Sequence, residues 1–279
     1  MTEPERAVGG YTFVLKQRIL TGGVLALVAL AAVFWLSVPH FALLTGLVIM
    51  FGAWEWANLA GVSHRAGKLV YTVLLSVLCV WDYNTDVPSL TLMGGALLWW
   101  VVAFVMVSQY PASANFCKSR LVRMLMGSLV LVPAWSAIVM LKIHHGPQAI
   151  VLLFLLVWAA DVGAYVAGKN LGKRPLAKKV SPKKTIEGLL GGIAFSMLVA
   201  VVYGKFTHAT VGREIVLVLL AMMVALISVL GDLLESLLKR ERGIKDSSSL
   251  LPGHGGVMDR IDSLTAALPL FALALHFSV

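Results

Sequence analysis

Apolar residues in this chain fall into long runs separated by short polar breaks. A run of roughly 17 to 25 such residues spans the hydrocarbon core of a bilayer as a helix. Nine stretches satisfy or approach that length, at about 19–37, 41–60, 68–81, 88–107, 124–141, 147–167, 187–204, 214–238 and 262–278. The third is short and is expected to start before Lys68 or run on to Asn84. Turn-forming residues stand in the gaps, at Ser37-Val38-Pro39, from Asp82 to Pro88 and at Gly146-Pro147. This pattern predicts an all-α, polytopic integral membrane protein without internal repeats. It divides into an N-terminal transmembrane region, 1–145, and a C-terminal transmembrane region, 146–279, with polar loops at 168–186 and 239–261.

Composition supports that class. Of 279 residues, 59% are hydrophobic and 13% charged, with a mean hydropathy of +0.86; soluble domains carry about 25% charged residues. A net charge of +9 raises the question of nucleic-acid binding, but the placement of the charge excludes it. Of the 23 basic residues, 20 fall in the N-terminal segment and the loops after spans two, four, six and eight, leaving Lys142, Lys205 and Arg213 on the other side. Basic residues gather on the cytoplasmic side of a membrane. The split therefore predicts a cytoplasmic N-terminus, an outside C-terminus and residence in the cytoplasmic membrane. Cys79 and Cys117 fall on opposite sides and predict no disulfide. The run from Ile19 to Leu36 is long for a signal peptide and reads as an uncleaved first span.

Chemistry concentrates near the C-terminus. From Ser236 to Asp262 the chain carries five cations, several acids, three consecutive serines and a histidine among glycines. Loop 168–186 adds seven cations and no acid. Carboxylates inside apolar spans are costly, at least ~2.5 kcal/mol even on lenient insertion scales, so Asp161, Asp232 and Glu235 point to function. Asp232, Glu235 and Lys239 share one helix face by spacing, as do Asp259 and Asp262. Acids without His or Cys partners suit a hard cation such as Mg²⁺, and the surrounding cations suit a polyanion bridging to it. Gly253-His254-Gly255-Gly256 permits close backbone approach to a phosphate, or forms a bend before the last helix. His254 reads equally as a base, a phosphate donor or a turn residue. Gly163 to Lys169 mimics a phosphate loop but continues into Asn170 and follows no strand. Glu55, between Trp54 and Trp56, reads as an interface feature or a site residue.

Two blocks carry a family resemblance. Ser236, Lys239-Arg240, Lys245-Asp246, His254-Gly255-Gly256, Asp259-Arg260 and Asp262 resemble the signature of phosphatidate cytidylyltransferases. Asp161, Gly163-Ala164-Tyr165, Gly168, Gly172-Lys173, Ser181-Pro182-Lys183-Lys184-Thr185 and Glu187-Gly188 form a second matching block. Together they span 158–263; Val162 departs from the small hydroxyl residue frequent in relatives. The resemblance implies transfer of the cytidylyl group of CTP to phosphatidate in the bilayer, dependent on a divalent metal, at a cytosolic site and often in a homodimer. It further implies one or two metals at Asp161, Asp232, Glu235, Asp246, Asp259 and Asp262. Lys239, Arg240, Lys245 and Arg260 would neutralise phosphate charge, with His254 positioning. Ser181, Lys183, Lys184, Thr185, Gly255 and Gly256 would hold substrate. A CDP-alcohol phosphotransferase is excluded because D-G-x-x-A-R is absent. A transporter of a phosphate-bearing or lipid substrate is the rival reading; it predicts paired repeats or broken helices in both halves, whereas the polar residues here crowd one end.

Overall fold

The computed structural model describes residues 21–85, 89–250 and 255–277. Eight of its helices are long and apolar enough to span a bilayer: α2 (Val38–Leu59), α3 (Arg65–Asn84), α4 (Ser89–Ser108), α5 (Arg120–His144), α6 (Gly146–Leu171), α7 (Ile186–Phe206), α8 (Val211–Arg242) and α9 (Met258–Phe277). A shorter apolar helix, α1 (Thr21–Trp35), precedes them. The third span extends in both directions beyond its apolar run, from Arg65 to Asn84. A 3₁₀ turn, Ala112–Cys117, links α4 to α5.

Two departures from the sequence pattern matter for the site. Segment 168–186 is not one loop: α6 continues to Leu171, then a short antiparallel hairpin forms between β1 (Pro175–Ala177) and β2 (Ser181–Thr185). Pro175 pairs with Thr185 and Ala177 with Ser181. Glu187 at the start of α7 fixes the base of this hairpin by accepting from Lys173 N, Arg174 N and Arg174 Nε. In addition, α8 runs on to Arg242, so Lys239 and Arg240 belong to a helix and not to the loop expected from 239. At 32 residues it is about 48 Å long against a core of about 30 Å. It stops at Gly243, whose φ of 66° caps the helix in the left-handed region.

Packing is closest between α6 and α7. A Cβ on Gly163 would lie 2.5 Å from the Gly191 carbonyl oxygen, so only the absence of a side chain lets the backbones meet, a familiar device where lipid supplies no hydrophobic drive. Two apolar clusters fill the interior. One gathers Trp56, Leu131, Leu234 and Leu237, the other Phe41, Ile150, Leu153 and Phe271. Both draw on helices from either side of residue 145. Because α9 packs on α5 as well as α8, the end of the chain lies against its first half.

Candidate active site

The C-terminal end of α8, the N-terminal end of α9 and the hairpin assemble a dense polar cluster, arranged in two adjoining parts. The first part is a hydrogen-bonded scaffold. Lys239 Nζ stands 2.7 Å from Glu235 Oε2 and 2.7 Å from Asp259 Oδ1. Asp259 Oδ2 accepts from Ser247 N at 3.0 Å and Gly256 N at 2.8 Å. Ser247 Oγ lies 2.9 Å from both Asp259 Oδ2 and Glu55 Oε2. Glu55 enters from α2 and is only 2% exposed. Its Oε1 accepts from Ser248 Oγ at 2.6 Å and Val257 N at 3.0 Å, and its Oε2 accepts from Met258 N at 2.7 Å. The leading N–H groups of a helix have no partner within it; here a carboxylate 202 residues away satisfies two of them. Gly256 is dictated by this arrangement, since a Cβ there would collide with Ser247 Oγ and Glu55 Oε2.

The second part is less complete. Lys184, on β2, bridges to Asp232 Oδ2 at 2.5 Å, and Ser236 Oγ donates to Asp232 Oδ1 at 3.2 Å. Asp161 on α6 is within electrostatic reach of Lys184, Asp232 and Arg260. Asp262, one turn into α9, is within reach of Asp232, Glu235 and Lys184. Glu235 Oε1 is buried and has no hydrogen-bond partner among the described residues. An unsatisfied buried acceptor costs ~1–3 kcal/mol, more when charged, which marks this spot as a place for a ligand. Among the described residues no three His, Cys, Asp or Glu side chains close round a single point as a metal cage would require.

The remaining sequence candidates divide clearly. Arg240 Nε donates to the Val180 carbonyl at 3.1 Å and pins the hairpin to α8. Thr185 Oγ1 caps α7 by accepting from Gly188 N at 3.1 Å. Lys183, Lys245, Asp246 and Arg260 are exposed, while Ser181 is half-buried. Gly255 takes a φ of 82° in the turn before α9. His254 lies outside the described residues. Glu55 is the residue whose part the sequence disclosed least; its one signal was an acid inside an apolar run, which in a membrane span is a functional hypothesis by default.

Residues 16–278 match the model of the cytidylyltransferase family. A phosphatidate cytidylyltransferase of Pseudomonas aeruginosa is 46% identical over 264 residues, covering 94% of this chain and 97% of the relative. One from Haemophilus influenzae is 39% identical over 285 residues, covering 94% and 99%.

Proposed function

Because this chain belongs to the cytidylyltransferase family, we infer that it transfers the cytidylyl group of CTP to phosphatidate, yielding CDP-diacylglycerol and pyrophosphate. One structural observation carries most weight: Lys184, Asp232, Asp161 and Asp262 gather where long apolar helices end in polar loops. A membrane-embedded phosphate ester and a water-soluble nucleotide can both reach such a boundary. The basic-residue split supports a cytosolic side for that boundary, where CTP is found.

In this reading a phosphatidate phosphate oxygen attacks the α-phosphorus of CTP, and the bond from that phosphorus to the pyrophosphate oxygen breaks. The attacking oxygen is anionic near neutral pH, so no strong base is required. Lys184 and Arg260 offset the negative charge that accumulates on the phosphates. Lys239 is a positioning cation, since Glu235 and Asp259 hold its ammonium on two sides. Asp259, Ser247 and Gly256 then fix the entry to α9, and with it Asp262.

The acids fit Mg²⁺ in an open mode. This ion is commonly bound by one or two carboxylates and completed by substrate phosphates. Asp232 and Asp262, beside the unpaired Glu235 Oε1 and near Asp161, offer that kind of site and not a closed cage. Bound there, Mg²⁺ would withdraw charge from the phosphate oxygens as a Lewis acid.

The test supplies purified protein with labelled CTP, phosphatidate and Mg²⁺. Labelled CDP-diacylglycerol should appear in step with pyrophosphate and disappear when the metal is chelated. Asp232→Asn should lower turnover at least about 100-fold. Absence of both products from folded wild-type protein would overturn the assignment, and full activity after chelation would overturn the metal.

A further inference from the structure

A large cavity has none of the site's carboxylates in its lining. It is a groove of about 740 Å³, within the range of specific ligand pockets, between α4 and α8. Trp100 and Phe104 line one wall, Leu226 and Leu230 the other, and Lys178 and Lys179 stand at its polar rim. The groove opens sideways: Phe104 is 60% exposed and Val101 62%. Its α8 wall runs from Met223 to Leu233, about 15 Å at the helical rise and half of the ~30 Å hydrocarbon core. That is the depth of a single leaflet.

Of the α8 residues that line the groove, Met223 and Leu230 lie roughly 160–180° of helix rotation from Asp232, while Val229 and Leu233 lie about 60° and 100° away. Most of the α8 wall thus faces away from Asp232, and none of the site's carboxylates lines the groove. Among the described residues neither Lys178 nor Lys179 has an ion-pair partner. Both sit at the turn of the hairpin whose second strand carries Lys184 to Asp232, and Arg240 ties that turn to α8 through Val180.

We propose that this groove is a second lipid site, holding an acidic phospholipid of the bilayer with an acyl chain along α8 and its phosphate at Lys178 and Lys179. The occupant is acidic because two unpaired cations cap an otherwise apolar cleft. It is a bound and not a reacting lipid because no carboxylate lines the groove and most of its α8 wall faces away from Asp232. The proposal does not depend on which reaction the carboxylates perform.

Trp100 provides the readout. The protein is placed in phosphatidylcholine nanodiscs, and phosphatidylglycerol with brominated acyl chains is added. The quenching lost in Trp100→Phe isolates the groove from the other tryptophans. Half-maximal quenching should need much less brominated phosphatidylglycerol than brominated phosphatidylcholine, by about fivefold for each lysine. Lys178→Gln with Lys179→Gln should bring the two lipids together, while Lys178→Arg with Lys179→Arg should keep them apart. An unchanged thermal midpoint and a single size-exclusion peak verify that each variant is folded. If the double glutamine variant does not assemble, each single variant should lose its own fivefold. Equal quenching by both lipids in the wild type, or an unchanged preference in the glutamine variants, overturns the proposal. Quenching by brominated phosphatidate but not by phosphatidylglycerol overturns it too, and makes the groove a substrate path.

Discussion

Glu55 and Lys239 each satisfy several partners at once, so their replacement tests the scaffold directly. Glu55 accepts from two serine hydroxyl groups and two backbone N–H groups. Glu55→Gln turns one acceptor oxygen into a donor facing other donors. The expected loss is about 1–3 kcal/mol, read as a lower thermal midpoint in detergent, with turnover falling further as the 247–258 segment loosens. Unchanged stability and turnover would refute the strut. Lys239→Met leaves Glu235 and Asp259 uncompensated and should cost about 3–5 kcal/mol. Lys184→Met should behave differently: Lys184 and Asp232 remain partly accessible, so stability should hold while turnover falls. Equal destabilisation by the two methionine variants would argue against separating scaffold from reacting cluster. The sequence exposed the acids and cations but not this division. Helical spacing put Lys239 beside Glu235, but only the folded chain adds Asp259 to it and brings Lys184 to Asp232.

Elements were legible in proportion to their apolar length. Each of the long helices follows a hydrophobic run, and α3 outgrew its run because Arg65, Lys68 and Asp82 continue the helix into polar surroundings. The hairpin was not legible, since β2, SPKKT, has no alternation of apolar and polar positions. Its geometry nonetheless resolves an ambiguity, because neighbouring strand residues point to opposite faces. Lys183 and Lys184 therefore cannot do the same job, and it is Lys184 that meets Asp232. The α6–α7 seam supplies a test at this scale. Gly163→Leu puts a side chain against the Gly191 carbonyl and should separate the two helices, carrying Asp161 away from Lys184. The expected outcome is poor recovery of folded protein or loss of turnover, whereas Gly94→Ala, with nothing near its added carbon, should be neutral. Normal behaviour of Gly163→Leu would show that the seam can open without consequence.

For the molecule as a whole, the distribution of basic residues predicts an orientation that impermeant labelling can check. Both native cysteines are buried, and burial pushes the Cys117 thiol up to about 11, so background labelling should be low. Ser249→Cys should react with an impermeant maleimide only after the cytosolic side is opened, and His208→Cys in intact cells. The reverse pattern would invert the topology. Eight of the nine expected spans are helices long and apolar enough to cross a bilayer among the described residues, because span length and hydropathy are local quantities. The sequence pattern failed at contacts such as Glu55 with Val257, which join distant parts of the chain and leave no periodic trace.

That contact has a consequence for biogenesis. At ribosomal rates of about 5–20 residues per second, the 202 residues between Glu55 and Val257 take roughly 10–40 s to synthesise. Throughout that interval α2 exists with an acid whose partners have not been made. Glu55 lies four residues from the end of α2, so the nascent chain can keep it beside water or lipid head groups until α9 arrives. Insertion of α9 would then complete the bonding of an acid made long before it.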